Sequence, residues 1–484
     1  MATIQRPRPA APSETTLESD EAAPAASGPG LSLAALVGVV VTLAGFLIGL
    51  QRLSDNSFFT HLATGRLILD HGIPTTDPYS FTAAGEPWTV QSWLASTLYG
   101  VAETVGGLGG VRIVIGLTTA LLAHLLWRLT EPAGAVVVRA ALILPILLMG
   151  TEGWAERPML FGFVGLAALY VLANGAGPAW VAVPLLWVWV NTHGSFPMGF
   201  VLLGTLVVGT WLDRRSARRE LQVSAWAGSG LLLGAINPIG PKLLVFPIEL
   251  LGKAETLSFI DEWRPPDYGD LAPKLLVLMA GLSGLALLAR HRRFRAVLPL
   301  LAFTGLALTS ARNVAPAGLI VMAAVAPALA GLGRDLGQER RPIFRTAGVV
   351  LGALTLLVAL GALRGPQTDL AFYPTDAVDW MEANDLVGPD VRVISRDFVG
   401  NYLEARYIDM PVFMDDRYDM FPVEVIDDYR TLMKGDEGWE QIAEAWDADA
   451  VLWNTDADLA EALTGSSTWR VAYEDDNWVL VVPR

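Results

Sequence analysis

Long apolar segments recur along this chain, and they restrict it to folds that a membrane can hold. The first covers residues 31–50, and others follow at about 110–128, 134–150, 159–174, 179–191, 197–212, 222–237, 273–290, 295–310, 314–333 and 343–363. Hydrophobic residues make up 52% of the sequence and charged residues 17%, a balance unlike that of soluble domains. Apolar blocks of about 15–20 residues between short polar breaks predict a polytopic α-helical membrane protein with about 11 spans.

Charge divides the chain near residue 364. Residues 365–484 hold 27 acidic and 8 basic side chains, a net charge of −19, whereas residues 1–364 have a net charge of +4. The acidic segment alternates helical patterns with short β-rich runs, which predicts a small α/β domain. We therefore expect a disordered cytoplasmic tail (1–30), a transmembrane domain (31–364) whose first outer loop is 51–109, and an acidic soluble α/β domain (365–484).

Arginine-rich loops predict the orientation of the chain. With the N-terminus in the cytoplasm, the inside loops are 128–139, 213–219, 290–295 and 334–345, which together hold most of the basic residues. Cytoplasmic loops of membrane proteins carry such an excess of Lys and Arg. We expect a multi-pass protein of the inner (plasma) membrane whose C-terminal α/β domain is extracytoplasmic.

Two classes of function are disfavoured by composition. The sequence has no cysteine, so a thiolate nucleophile and a Cys-based metal site are excluded. Neither half of the chain shows a basic, aromatic-rich face, which argues against nucleic acid as a partner.

The polar residues that could carry chemistry fall in the predicted outer loops. A charged group at the membrane boundary is costly unless it is paired or hydrated, so several such groups from different loops predict a hydrated cavity. Carboxylates there could supply a base or a metal ligand, and arginines could hold a phosphate. The candidates are Asp55, His61, Arg66, Glu152, Glu156, Arg157, His193 and Arg312. A purely structural role is the alternative for each of them; Asp55, for example, could cap the next helix.

Several motifs of these loops resemble those of a known group of proteins. They are DNSFFTHLATGR (Asp55–Arg66), IPTTDPYSFT (Ile73–Thr82), RP (Arg157–Pro158), NTHGSF (Asn191–Phe196), EW (Glu262–Trp263), SARN (Ser310–Asn313) and PVFMDDR (Pro411–Arg417). In these motifs the chain resembles bacterial polytopic membrane proteins of the glycosyltransferase C (GT-C) superfamily, which are related to dolichyl-phosphate-mannose mannosyltransferases. The amphipathic stretch 88–101, predicted to lie along the membrane interface, fits the same pattern.

This resemblance implies that a sugar passes from a polyprenyl-phosphate carrier to an acceptor of the cell envelope. Asp55 would then be the general base, and Glu152 or Glu156 would match a second acidic position. Arg157, His193 or Arg312 would stabilise the departing phosphate, with His61 and Arg66 as further substrate-binding candidates. Relatives often carry Asp-x-Asp where this chain has Ser57, so the cofactor is left unassigned, a divalent metal being one option. The segment 415–417 is interpreted as a turn of the soluble domain.

Two other functions remain open from the sequence. A transporter or flippase for a lipid-linked or small solute would need polar or broken helices near the middle of the membrane, often in an internal repeat. The spans are nearly free of charge and show no repeat, which favours the enzyme. A non-catalytic envelope assembly protein is the third interpretation.

Overall fold

The computed structural model describes residues 30–253, 260–290, 293–333 and 340–484. The helices of the first part are α1 (Leu33–Gly49), α2 (Asn56–His71), α3 (Trp93–Leu129), α4 (Val136–Gly153), α5 (Met159–Ala173), α6 (Ala182–Thr192), α7 (Pro197–Leu212), α8 (Arg218–Leu233), α9 (Lys242–Gly252), α10 (Leu271–Arg290), α11 (Phe294–Thr309), α12 (Val314–Val325) and α13 (Pro342–Arg364). The C-terminal part contains α14 (Thr375–Ala383), β1 (Val393–Ser395), α15 (Asp397–Arg406), α16 (Val423–Lys434), α17 (Trp439–Ala445), β2 (Ala450–Asn454), α18 (Leu459–Thr464), β3 (Trp469–Glu474) and β4 (Trp478–Pro483).

The helices of the first part have the composition of membrane helices. Within the described residues, four helical stretches are long and apolar enough to cross a membrane: Trp93–Ala133, Leu271–Arg290, Ala311–Leu329 and Pro342–Arg364. Six shorter apolar helices of 10–17 residues accompany them. The structure thus confirms a mostly helical membrane protein with several apolar helices. The predicted number of about 11 spans is not confirmed and stays a prediction.

A glycine pair interrupts α3 and separates two different helices. Gly107 has a φ of +59°, which only glycine adopts readily, and Gly106 is also outside the helical range. Before the break, Gly100 lies against Gly65 of α2, whereas after the break Gly116 lies against Phe46 of α1. The stretch predicted to be amphipathic therefore joins the first outer loop, and the apolar helix begins only after the break.

The C-terminal part forms a four-stranded sheet in the order β1-β2-β4-β3. Strands β1 and β2 are parallel, whereas β4 is antiparallel to both β2 and β3. The α/β character predicted from the sequence is confirmed. Next to this sheet, Val412 forms isolated bridges with both Ser80 of the first loop and Val393 of β1.

The C-terminal part packs directly on the first loop. Phe59 of α2 contacts the rings of Tyr373 and Tyr402 at centroid distances of 5.3 and 5.9 Å. Arg112 of α3 donates to the carbonyl oxygens of Leu50 and Ala362, and so ties the end of α1 to the end of α13. The first loop is therefore enclosed between the helical bundle and the C-terminal part.

The predicted outer residues and the predicted inside loops lie at opposite ends of the bundle. Helix α5 begins directly after Arg157 and Pro158 and ends at Ala173, whose carbonyl oxygen accepts a hydrogen bond from Arg295. Arg295 also pairs with Glu220. A helix of 15 residues is about 22 Å long, so α5 separates the two sets by that distance.

Candidate functional site

A cavity of about 270 Å³ lies where the start of α2, the loops at the ends of the bundle helices and the C-terminal part meet. Four predicted site residues line it: His61, Arg157, His193 and Arg312. Residues from other segments complete the wall, among them Ser57, Trp88, Gln91, Glu262, Trp263, Asp397, Asp416, Arg417 and Asp419. Side chains from six or more distant segments therefore share a single site.

Arg157 connects the acids around this cavity. Its Nε donates to Asp55 Oδ2 at 2.5 Å, one terminal nitrogen pairs with Glu262, and the other donates to Asn56 Oδ1 at 3.1 Å. Burial alone would lower the pKa of Arg157, but the two carboxylates raise it overall. The guanidinium is thus permanently charged and held in one position at the start of α5, directly before Pro158.

Asp55 sits behind this arginine. It occupies the position before α2, yet its side chain makes no capping hydrogen bond. Its Oδ1 is buried without a partner among the described residues. Asp55 lines a neighbouring cavity of about 530 Å³, which shares Asn56, Glu262 and Asp397 with the first one.

The two predicted glutamates are placed differently. Glu156 is 7% exposed, and its Oε1 accepts from the backbone nitrogens of Ser54 and Asp55 at 2.5 and 2.8 Å. Burial raises its pKa. Its carboxyl group therefore fixes the backbone that carries Asp55, and it does not line the cavity. Glu152 lies in the last turn of α4, and its side chain is outside the described part of the structure.

The two cavity histidines are neutral at pH 7. Burial lowers the pKa of His61 to about 4 and that of His193 to about 3, and nearby arginines act in the same direction. His193 Nδ1 accepts from the backbone nitrogen of Ser195 at 3.1 Å, so its proton resides on Nε2. His61 Nδ1 lies 3.0 Å from Ser96 Oγ. His193 can therefore donate one hydrogen bond from Nε2.

Arg312 is held in place by an aromatic neighbour. Among the described residues, no carboxylate forms an ion pair with it. Its guanidinium lies 4.6 Å from the ring centroid of Trp263, a cation–π contact. Ser310 Oγ donates to the backbone oxygen of Glu262 at 2.8 Å, which joins the two loops that carry these side chains. Burial lowers the pKa of Arg312, although an arginine stays protonated.

The structure does not bring Arg66 to the cavity. Its Nε donates to Glu103 at 2.7 Å, and another of its nitrogens donates to the backbone oxygen of Ala405 at 2.5 Å. These bonds join α2, the first segment of α3 and α15. The position of Arg66 fits a contact between the outer loop and the C-terminal part.

The C-terminal part contributes a buried ion-pair cluster that the sequence interpretation missed. Arg417 Nε lies 2.9 Å from both oxygens of Asp415, and one terminal nitrogen lies 2.6 Å from Asp77 Oδ1. The guanidinium also covers the ring of Trp88 at 4.4 Å. Asp416 and Arg417 thus line the cavity, and Asp415 holds Arg417 from behind. The sequence signal for this cluster is the presence of two motifs that carry its charged residues, Asp-Pro-Tyr-Ser at 77–80 and Asp-Asp-Arg at 415–417.

Three further acids give the C-terminal wall a negative character. They are Asp397, Asp416 and Asp419. Burial raises the pKa of Asp416 to about 7 and that of Asp419 to about 6. We call the bundle side of the cavity, with Arg157 and Arg312, the basic wall, and the C-terminal side, with these three acids beside the ion-paired Arg417, the acidic wall.

The described residues around the cavity show no grouped donor set for a divalent metal. Among the residues that the structure describes, no three His, Asp or Glu side chains are grouped as metal ligands would be. Asp55 Oδ2 is engaged by Arg157, and Ser57 stands where a second aspartate would be expected. We therefore assign no step to a metal.

The apolar helices and the small C-terminal sheet form a mostly helical membrane protein with a GT-C-like fold. The structure of the archaeal oligosaccharyltransferase AglB from Archaeoglobus fulgidus, in complex with an inhibitory peptide and a dolichol-phosphate, matches 87% of this chain and 69% of its own at a TM-score of 0.53. The sequence identity is 12%, so the likeness is one of fold. No family model and no curated protein sequence matches the chain. The narrower relation to mannosyltransferases stays a prediction.

Proposed function

We propose that the protein is a membrane glycosyltransferase that moves a sugar from a polyprenyl-phosphate carrier to a cell-envelope acceptor. The observation that carries this proposal is the cavity, because a basic wall and an acidic wall both line it. A phosphate-bearing donor would lie against the first wall and a hydroxyl-bearing acceptor against the second. AglB, solved with a dolichol-phosphate and a peptide, supports a lipid-linked donor and a separate acceptor on such a fold.

Arg312 and His193 are the groups that would stabilise the departing phosphate. When the bond between sugar and phosphate breaks, negative charge develops on a phosphate oxygen, and fixed donors in a dry site stabilise that charge. Arg312 supplies a guanidinium held over Trp263, and His193 supplies Nε2–H. Arg157 orients Asp55, Glu262 and Asn56 on the same side of the cavity, and the two carboxylates offset its charge, so Arg312 is the cation assigned to the phosphate.

The two ends of the bundle suggest how the protein lies in the membrane. Arg295 belongs to an arginine-rich loop and pairs with Glu220, which follows another such loop. This contact lies at the end of the bundle opposite the cavity. Under the positive-inside bias this end would face the cytoplasm. The cavity and the C-terminal part would then face the outside of the inner membrane, where a polyprenyl-phosphate-linked sugar meets its envelope acceptor.

A transfer assay tests this function. Purified protein in liposomes is given a panel of labelled polyprenyl-phospho-sugars and a cell-envelope fraction, and release of polyprenyl phosphate is measured. We expect turnover of one donor and a loss of about 10²-fold or more for Arg312→Ala, which removes a charge-stabilising donor. Arg215→Ala is the matched control, because Arg215 is exposed at the other end of the bundle. Absence of transfer from every donor, or full activity of Arg312→Ala, contradicts the proposal.

A further inference from the structure

Asp416 stands at the junction of three segments of the chain. One of its oxygens, Oδ2, accepts a hydrogen bond from Ser57 Oγ of α2. Its backbone nitrogen donates to Asn401 Oδ1 at 3.0 Å, and Asn401 is fully buried in α15. The carboxyl group is therefore held at one orientation by the first loop and by the C-terminal part together. Such fixation is what a reacting group needs.

The second carboxyl oxygen of Asp416 is available to a ligand. No donor from the described segments of the chain bonds to Oδ1, and the side chain lines the same cavity as Arg157 and Arg312. An acceptor hydroxyl in this cavity would have Asp416 on one side. The donor phosphate, against the basic wall, would lie on the other.

Four other acids of this region already have charged or hydrogen-bonding partners. Asp55 and Glu262 pair with Arg157. Asp397 accepts from the hydroxyl groups of two tyrosines, and Asp415 pairs with Arg417. The ammonium group of Lys253 lies near Asp419 and donates to its backbone oxygen, but among the described residues no side chain from the first loop holds the Asp419 carboxyl group in place as Ser57 holds that of Asp416. Asp416, by contrast, is held only by a neutral hydroxyl group, so its charge is not neutralised by a direct ion pair.

The surroundings of Asp416 bring its pKa close to neutral pH. Burial raises its pKa to about 7; the Ser57 hydrogen bond opposes this rise. The charged and titratable groups that face it are Arg157, Asp397, Asp415, Tyr373 and Tyr418. Arg157 lowers the pKa, whereas Asp415 and Asp397 raise it. A base whose pKa is close to the working pH transfers protons most effectively.

We infer that Asp416, a residue of the C-terminal part, is the base that accepts the proton of the acceptor hydroxyl group. This inference rests on the proposed function and replaces Asp55 in the role that the sequence suggested for it. The acceptor oxygen bonds to the anomeric carbon while the bond from that carbon to the phosphate oxygen breaks. The bonding electron pair leaves with the phosphate, and the hydroxyl proton moves to Asp416 Oδ1.

The first test compares three variants in the liposome transfer assay. Asp416→Asn keeps the shape of the side chain but cannot accept a proton, so we expect a loss of about 10²–10⁴-fold in kcat with donor binding within about twofold of the wild type. Asp416→Ala should regain activity with added formate, a small external base. Asp456→Asn, an exposed acid of the same part of the chain, is the matched control and should keep full activity.

The pH profile separates a proton-accepting role from a structural one. In the wild type, log kcat/KM should rise with pH and level off near pH 7, because only the ionised form accepts a proton. Ser57→Ala should move this limb to higher pH, since Ser57 stabilises the ionised form. In Asp55→Asn, log kcat/KM should still rise with pH over the same range, even if the activity of this variant is low.

The outcomes distinguish the two proposals. Failure of the wild type to transfer sugar from any donor overturns the proposed function, and this inference with it. Transfer by the wild type with an active Asp416→Asn variant, or an unshifted limb in Ser57→Ala, overturns the inference alone. Loss of the limb in Asp55→Asn or Asp419→Asn would do the same, because it would assign the proton to another acid.

Discussion

Replacing Arg417 with methionine removes the cation that joins the first loop to the C-terminal part. Arg417 is 8% exposed, and the carboxylate groups of its partners Asp77 and Asp415 are fully buried. Methionine fills much of the same volume, so the main consequence is two buried carboxylates without a cation. Breaking a buried pair in this way costs about 3–5 kcal/mol. With an unfolding entropy of about 2.1 cal/mol/K per residue over 484 residues, we expect the unfolding temperature to fall by about 3–5 °C.

Thermal unfolding in detergent measures this effect through the intrinsic fluorescence of the 16 tryptophans. Adding Asp77→Asn and Asp415→Asn to the Arg417→Met variant should restore part of the stability, because the uncompensated charges cause the loss. Arg392→Met is the control, since Arg392 and Asp447 form an exposed pair, and such pairs contribute at most about 1 kcal/mol. An Arg417→Met variant that unfolds within about 2 °C of the wild type would refute the argument.

The other predictions concern packing, pH and orientation. Gly65→Leu should destabilise the protein strongly in thermal unfolding, because a Cβ at Gly65 would lie 2.1 Å from a backbone oxygen of α3, whereas Gly281→Leu meets open space and should be tolerated. Because the folded-state pKa of His61 is lowered to about 4, proton uptake by His61 on unfolding removes stability as the pH drops from 6.5 toward 4, while the raised pKa values of Asp416 and Asp419 act in the opposite direction. His61→Asn should therefore lose less stability, or gain more, than the wild type over this range, and identical slopes would count against the argument. The chain has no native cysteine, so in intact cells Asp456→Cys should react with a membrane-impermeant maleimide and Arg215→Cys should not; the reverse pattern would invert the orientation.

The helical part of the fold could be predicted because its signal is local. Apolar runs at 159–174 and 197–212 end at polar breaks, and α5 and α7 occupy these positions. The placement of Arg157 and His193 followed as well, since both lie in breaks on the same predicted side. Sidedness alone brings such residues to the same end of the bundle.

The acidic wall could not be predicted in this way. Ser57 and Asp416 are 359 positions apart, and no periodicity in the sequence encodes such a contact. Helix α15 carries buried polar residues such as Asn401 and Glu404, so its sequence does not show the usual apolar face. Long-range packing, not local pattern, determines this half of the site.

Contacts also explain why some candidate residues do not reach the cavity. Arg66 is an outer-loop cation by sequence, but Glu103 is close enough to bind it in the structure. Glu156 is a candidate acid by position, yet it is placed where two backbone nitrogens need an acceptor. A residue type indicates which chemistry is available, and the partner that folding supplies decides whether that chemistry is used.

Photocrosslinking measures most directly whether the cavity holds the lipid-linked donor. A polyprenyl phosphate with a diazirine beside its phosphate is irradiated with the protein in liposomes, and the modified peptides are sequenced. We expect labels on the segments that contain Arg157, His193 and Arg312, and competition by unlabelled polyprenyl phosphate. Labels confined to the arginine-rich end of the bundle, or spread along the lipid-facing helices without competition, would contradict the account.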